Sequence, residues 1–289
     1  MLLVEADWLA SHLKDPSVRI FDCTTHMHAQ PVGPSRIVSG RPEFEAGHIE
    51  GAQHLDMFED LSSPNSTYAF EMLDPASFQS LMRKHGVKKD DHIVLYGRSA
   101  LTTITRAWLV FYANGHKKIS ILDGGLIGWL QAGYPLSTII EDHPPSQYTV
   151  ATDRPPVIVG IDTVKRGLVQ TDSTTQHRQL VNALSPEQYR GTGGAQYGRV
   201  GRIPTSLNLP ARELFNLKTQ QFKPIDDIRQ RWTDAGLDPS KKTIHYCGGG
   251  IAASTTAFTQ ALLGQNDWVV YDRSLLEWCD QSDTPMVTD

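Results

Sequence analysis

The chain repeats itself with a period of about 150 to 160 residues, and this constrains its fold more than any other feature. An apolar run that ends in tyrosine and a small residue occupies 93–97 and again 243–247. An aspartate lies 27 residues after the first tyrosine and 26 after the second, and a tryptophan follows each aspartate by six: Asp123 and Trp129, then Asp272 and Trp278. A period of this length is too long for a solenoid and indicates a duplicated domain.

A length of 289 residues suits two domains. Two Pro-Pro pairs, at 144–145 and 155–156, lie in a polar stretch between the copies, as is typical of a stiff linker. We therefore expect a first domain over 1–145 and a second, catalytic domain over 146–289.

Within each copy, short apolar runs alternate with helical patterns, such as those at 76–85, 102–113 and 252–263. This alternation predicts an α/β fold in which each domain has a sheet of parallel strands with helices on both faces. The functional crevice of such a sheet lies at the carboxyl ends of its strands. Cys247 is expected at one of those ends.

The residues around this cysteine predict a nucleophile. Gly248, Gly249 and Gly250 follow Cys247, and a helical pattern then begins with Ile251 and Ala252. Because glycine has no Cβ, successive backbone N–H groups can turn inward and form a concave anion site. The amino end of the next helix adds positive potential. These features favour a thiolate, which is the nucleophilic form of cysteine.

Composition argues against several other classes of protein. The net charge of −5 and the lack of a Lys/Arg-rich block make nucleic-acid binding improbable. The sequence has no run of 18 apolar residues, so no membrane span is predicted. Its first residues do not resemble a secretory signal. Cys23, Cys247 and Cys279 do not form a disulfide framework, so a cytoplasmic protein with free thiols is expected. His26 and His28 lack a third ligand at suitable spacing, so neither a metal nor a cofactor is expected.

Several motifs together resemble the rhodanese superfamily. They are the tandem repeat, His-Ile-x-Gly-Ala at 48–52, Leu-Asp-Gly-Gly-x-x-x-Trp at 122–129, and a loop cysteine in the second copy alone. The resemblance implies two tandem rhodanese-like domains, the first inactive and the second carrying the nucleophile. Gly97 stands at the position of the first copy that matches Cys247, in agreement with that pattern.

The loop is most similar to that of the mercaptopyruvate sulfurtransferases. It carries no basic residue, unlike the loops of thiosulfate sulfurtransferases, and it has glycine at the first and third positions after the cysteine. It departs from the family at Gly249, where a hydroxyl residue is usual, and at Ala252, where threonine is usual. That hydroxyl belongs to a proton relay whose other members match Asp22 and His48.

The resemblance also implies substrate and partners. Gly248, Gly249, Gly250, Ile251 and Ala252 would contact the sulfur donor. The family binds the donor's carboxylate through arginines, and one of these is replaced by Gln188, so Arg190 and Arg199 are the candidates here. The donor would be 3-mercaptopyruvate and the acceptor cyanide or a thiol, such as thioredoxin or a low-molecular-weight thiol.

Other functions remain to be weighed. A tyrosine phosphatase of related fold needs Cys-x5-Arg to clamp the phosphoryl group, but Ala253 stands six residues after Cys247. A thiosulfate:cyanide sulfurtransferase and a persulfide carrier that serves a protein partner both stay open. The retained Cys247 argues against a protein that only binds or supports others.

Overall fold

The computed structural model describes residues 1–98, 101–169 and 178–289. The first domain runs β1 (Leu3–Val4), α1 (Ala6–His12), β2 (Val18–Asp22), β3 (Thr25–His28), β4 (Arg36–Ser39), α2 (Arg41–Ala46), β5 (Ala52–His54), α3 (Pro75–Lys84), β6 (His92–Tyr96), α4 (Leu101–Ala113), β7 (Ile119–Leu122) and α5 (Gly125–Gln131).

The second domain follows the same plan. It runs β8 (Ile158–Val159), α6 (Ile161–Val169), β9 (Gln179–Asn182), α7 (Pro186–Arg190), β10 (Leu207–Asn208), a 3₁₀ turn (Ala211–Glu213), α8 (Ile225–Asp234), β11 (Thr243–Tyr246), α9 (Ile251–Leu262), β12 (Trp268–Tyr271) and α10 (Ser274–Asp280). The predicted helices at 76–85, 102–113 and 252–263 are confirmed to within one residue at each end.

Each domain has one five-stranded sheet whose paired strands are all parallel. The strand orders are β1-β7-β6-β2-β5 and β8-β12-β11-β9-β10, which match strand for strand. The predicted α/β fold with two tandem domains is thus confirmed. β3 and β4 form a separate antiparallel hairpin in the first domain. Among the described helices, none is long and apolar enough to cross a bilayer.

A continuous apolar core joins the two domains through α4 and α9. Trp108 of α4 packs edge-on against Phe258 of α9, with ring centroids 4.9 Å apart. The tryptophans predicted from the repeat, Trp129 and Trp278, are buried at matching places, and each indole N–H donates to a proline carbonyl, of Pro135 and Pro285 respectively. Fully buried aromatic residues of this size dominate core energetics, so they fix the helix that follows each terminal strand.

Each domain also extends one short segment onto the other. We call these segments the first arm (68–72) and the second arm (218–222). Met72 N–H in the first arm donates to Oδ2 of Asp272 over 2.8 Å, and Phe222 N–H in the second donates to Oδ1 of Asp123 over 2.8 Å. Both arms contain a residue in the left-handed region, Phe70 with φ 69° and Gln220 with φ 56°. Strained backbone of this kind persists only where surrounding contacts hold it.

Candidate active site

Cys247 lies where the sequence predicts it, directly after β11 and before the glycine loop, and it is 2% exposed. Its N–H donates to Oγ of Ser274 over 3.0 Å, and its carbonyl accepts from Leu275 N–H over 3.2 Å. Ser274 has a left-handed φ of 49°, a conformation that costs a non-glycine residue about 1–3 kcal/mol. The first turn of α10 therefore fixes the backbone from which the thiol projects.

The loop after Cys247 presents unused backbone donors. In the described part of the chain, the N–H groups of Gly248, Gly249 and Gly250 have no hydrogen-bond acceptor. Gly250 has φ +80°, and a Cβ there would overlap the Asp272 carbonyl oxygen. Only glycine fits this turn into α9, so three N–H donors and the helix's amino end follow directly after Cys247 in the chain. The arrangement can stabilise a negative charge.

The cysteine opens into a cleft between the domains with a volume of about 490 Å³. Loop residues Gly248, Gly249, Ile251 and Ala252 line it together with Cys247. The first domain supplies the opposite wall, from β3, the β3–β4 hairpin, the first arm and α4: Met27, Ala29, Ser35, Phe70 and Thr102. A largely apolar cleft with a few polar groups is the usual form of a small-molecule site.

Tyr197 forms the wall beside the cysteine. Its ring lies so close to Gly248 that a Cβ on that glycine would overlap ring carbons, with the carbon that bears the hydroxyl nearest. Burial and the nearby charge of Cys247 raise the pKa of Tyr197 to about 12. The phenol is therefore protonated at neutral pH.

The structure places one arginine in the lining of this cleft. Arg212, in the 3₁₀ turn after β10, is exposed and makes no hydrogen bond or ion pair with any described residue. Its neighbour Glu213 is instead paired with Arg231 at 3.0 Å. Arg212 thus has a free guanidinium, and a guanidinium can bind a carboxylate through two parallel hydrogen bonds.

The two arginines suggested by the sequence lie elsewhere. The guanidinium of Arg199 donates to the carbonyl oxygens of Trp278, Gln281 and Thr284 and to the Thr284 hydroxyl, all within 3.0 Å. Arg190 is exposed at the end of α7 and does not line the cleft. The expected carboxylate role thus finds no geometric support at either residue, because neither lines the cleft and the terminal nitrogens of Arg199 already donate to four oxygens.

Asp22 and His48 are also outside the cleft lining, and each has local partners in its own domain. Asp22 Oδ1 accepts from the N–H of Thr24 over 2.9 Å and from its hydroxyl. The imidazole of His48 lies 2.8 Å from the Phe44 carbonyl and 3.1 Å from that of Ile139. The proton relay suggested by the sequence is not assembled at Cys247 in this structure.

The structure leaves little room for a side chain at Gly249, where the family usually has a hydroxyl residue. A Cβ at Gly249 would lie 3.0 Å from Leu276 Cδ1 and 3.2 Å from Phe70 Cδ2. Such contacts are tighter than ordinary van der Waals packing, so the first arm and α10 fill the space that a serine side chain would need.

Sequence reasoning missed Arg212, Tyr197 and Phe70. A signal existed for Arg212, because it follows β10, whose carboxyl end meets that of β9 at the same sheet edge as Cys247. No sequence signal pointed to Tyr197, whose position depends on the path of a glycine-rich loop between α7 and β10, or to Phe70, which comes from the other domain.

Comparison with known proteins agrees with this geometry. A model of the rhodanese-like domain matches the chain twice, over 5–132 and 168–281. The 3-mercaptopyruvate sulfurtransferase of Escherichia coli K12 is 30% identical over 285 residues, which cover 98% of this chain and 96% of that protein. A putative thiosulfate sulfurtransferase of Mycobacterium tuberculosis H37Rv is also 30% identical, over 96% of this chain and 94% of that protein.

A solved structure shows the same fold. The crystal structure of SseA from Escherichia coli, a 3-mercaptopyruvate sulfotransferase, superimposes with a TM-score of 0.79 at 27% identity. The match covers 95% of this chain and 98% of that one, so it includes both domains.

Proposed function

This chain belongs to the rhodanese-like family and is a sulfurtransferase of the 3-mercaptopyruvate or thiosulfate type, and we propose that it takes sulfur from 3-mercaptopyruvate through a persulfide on Cys247. One observation carries the proposal: Cys247 lines an interdomain cleft and is followed directly by three glycines whose N–H groups have no acceptor among the described residues. Donors fixed in place before the reaction stabilise both thiolate and persulfide without reorganisation.

The first half-reaction loads the enzyme. The Cys247 thiolate attacks the thiol sulfur of the donor, an S–S bond forms and the C–S bond breaks. The electron pair of the broken bond stays on the donor carbon, giving the enolate of pyruvate, which takes one proton and leaves. Splitting the transfer at a covalent intermediate replaces one difficult step with two easier ones.

The second half-reaction unloads it. A thiolate acceptor, such as thioredoxin or a low-molecular-weight thiol, attacks the outer sulfur and regenerates the Cys247 thiolate; cyanide would leave as thiocyanate. No cofactor enters either half. Free thiols and thiol acceptors suit a reducing compartment, so we place the reaction in the cytoplasm.

Arg212 is our candidate for the donor's carboxylate. It lines the cleft with Cys247 and has no partner among the described residues. The donor carries a single carboxylate, and one guanidinium at the rim is enough to neutralise it. Thiosulfate is a dianion, and the loop itself offers it no basic side chain.

Steady-state kinetics with 3-mercaptopyruvate and thiosulfate side by side test this assignment. We expect a higher kcat/KM for 3-mercaptopyruvate. Arg212→Gln should raise KM for that donor by roughly tenfold or more with little loss of kcat, because a charge-assisted hydrogen bond to a non-reacting group is lost. Arg190→Gln is the matched control, since that side chain is exposed outside the cleft, and it should leave both constants unchanged.

Preference for thiosulfate in the wild type would overturn the donor assignment and leave the persulfide mechanism intact. An Arg190→Gln effect equal to that of Arg212→Gln would show that general surface charge, and not a cleft contact, decides KM. Rapid persulfide formation with slow release to every small thiol would favour the alternative in which the enzyme carries persulfide to a protein partner.

A further inference from the structure

The loading step leaves one proton to be supplied, and the loop around Cys247 has no side chain to supply it. The enolate of pyruvate must be protonated at the carbon that lost sulfur. Gly248, Gly249, Gly250, Ile251 and Ala252 carry no exchangeable side-chain proton. A positioned general acid contributes typically about 10²–10⁴-fold to a rate, so its identity decides turnover with this donor.

Most polar side chains that line the cleft are already committed. Ser185 accepts from Gln188 N–H as the cap of α7, and the Gln188 side chain donates to the Ala195 carbonyl over 2.9 Å. The Glu213 carboxylate is paired with Arg231. Ser35 and Thr102 lie on the opposite wall, in the first domain.

Tyr197 is different in two respects. Its ring is in contact with the backbone of Gly248, the residue next to the nucleophile. The ring carbon that bears its hydroxyl is the ring atom nearest to the Cβ position of Gly248, and Tyr197 lines the cleft together with Cys247, with its hydroxyl beside the Gln188 side chain.

We propose that Tyr197 is a catalytic acid that protonates the departing carbon of the donor, an inference that rests on the proposed use of 3-mercaptopyruvate. As the C–S bond breaks, the electron pair left on carbon takes the phenolic proton, and pyruvate leaves with a methyl group. The phenolate then regains a proton from the newly formed persulfide, which remains as its anion against the loop N–H groups. Donor and thiolate thus become pyruvate and persulfide anion, with no other reactant.

The electrostatics of the site support this role. Burial and the charge of Cys247 raise the pKa of Tyr197, so the phenol keeps its proton at neutral pH until a basic carbon forms beside it. The same two causes destabilise the phenolate, which returns it quickly to the protonated form. Tyr197 would thereby take the place of the hydroxyl that Gly249 lacks.

The test is Tyr197→Phe, which keeps the ring against Gly248 and removes only the O–H. We expect pyruvate release from 3-mercaptopyruvate in a single turnover to slow by about 10²-fold or more. Two reactions of Cys247 that need no protonated carbon serve as internal controls. They are alkylation by iodoacetamide and loading from thiosulfate, whose sulfite leaves as an anion, and both should stay within about threefold of wild type.

A matched control is Tyr134→Phe, which removes an exposed hydroxyl hydrogen-bonded to Asp7 in the first domain and should change none of these rates. Unchanged pyruvate release in Tyr197→Phe would overturn the inference, as would an equal loss in pyruvate release and alkylation, which would indicate a packing role. The wild-type arm separates the two proposals: if wild type loads from thiosulfate and not from 3-mercaptopyruvate, the donor assignment fails before the variant is considered.

Discussion

The loops that follow β6 and β11 have equivalent places in the two sheets, and their backbone donors are used differently. In the first domain, Arg98 N–H donates to Thr24 Oγ1 and Leu101 N–H donates to Gln220 Oε1, each over 3.1 Å. In the second domain, the N–H groups of 248–250 have no acceptor among described residues. Two N–H groups at the first loop thus donate to the protein's own oxygens, whereas three at the second remain available to a ligand in the described part of the chain.

The side chains that face the two loops also differ in size. A Cβ at Gly97 would lie 2.5 Å from Cδ1 of Ile104, whereas the residue seven positions after Cys247 is the smaller Ser254. The cavity at the first loop measures about 10 Å³, against about 490 Å³ at the second. The two copies therefore differ in the space at the loop and not in the order of strands beneath it.

The buried aspartates that hold the two arms differ as well. Asp272 is paired with Arg106, whose guanidinium is 1% exposed and lies 2.5 Å from Oδ1. Asp123 has no such partner among the described residues, and burial raises its pKa to about 6. In the second domain, the carboxylate therefore has a counter-charge, whereas in the first domain burial makes the carboxyl group resist ionisation.

The largest effect is expected from exchanging the nucleophile between the loops. Cys247→Ser should lower sulfur transfer by roughly 10³-fold or more, because a hydroxyl is not ionised at neutral pH. Adding Gly97→Cys to that variant should restore nothing, since the N–H groups of Arg98 and Leu101 are occupied and the new Cβ overlaps Ile104. Intact-protein mass after donor treatment, followed by peptide mapping, measures the result.

Burial raises the pKa of both remaining thiols, Cys23 and Cys279, so neither should carry the added sulfur. A persulfide at residue 97 would contradict the view that the first loop is closed, and one at Cys23 or Cys279 in the wild type would contradict the assignment of Cys247.

Asp272→Asn should give the next largest effect, a loss of about 3–5 kcal/mol in the free energy of unfolding. The substitution leaves the buried guanidinium of Arg106 without a counter-charge, while amide and carboxylate have nearly the same shape. Asp283→Asn breaks an exposed pair with Lys165 and should leave stability unchanged. Urea unfolding of both variants measures the difference, and equal stabilities would show that the Arg106–Asp272 pair contributes nothing.

Aspartate-to-asparagine substitution at the matched position, Asp123, should raise the free energy of unfolding, by less than Asp272→Asn lowers it. Because the pKa of Asp123 is about 6 when folded and 3.8 in its reference state, the folded protein binds the proton more tightly. Stability is therefore lost as pH rises through this interval, and the loss is complete above pH 6. Asp123→Asn keeps the Oδ1 acceptor for Phe222 N–H and should gain about 1–2 kcal/mol at pH 7.5.

That gain should vanish below about pH 4, where the wild-type carboxyl is protonated in both states. Unfolding curves at pH 4 and pH 7.5 measure it. A gain that is the same at both pH values would show that the effect comes from packing and not from ionisation.

Much of the fold was open to prediction from the sequence, because a duplicated order of strands and helices leaves few arrangements. Cys247 and its glycine loop were predictable for a similar reason: a nucleophile after a strand, followed by glycines and a helix, is a local pattern. Asp22 and His48 were assigned to a relay across the domains, but each forms its contacts within the first domain. In the second copy, Asn182 and Arg202 stand at the positions equivalent to Asp22 and His48.

The opposite wall of the cleft could not be predicted, because it depends on how one domain docks on the other. Phe70 reaches the loop only through the first arm, whose carbonyl at that residue accepts from Arg106 over 2.6 Å. Pattern and spacing describe each copy separately and do not encode such a contact. The same limit applies to Tyr197, whose loop is fixed by tertiary packing.

The exchange of arms makes the two halves mutually dependent. Phe70 of the first domain lines the cleft beside the glycine loop of the second, and Gln220 of the second domain accepts from Leu101 N–H after β6 of the first. Removing the first domain would therefore open the cleft at Cys247 to water on one side. Each copy thus supplies a contact that completes the other, and neither loop would keep its present surroundings in an isolated domain.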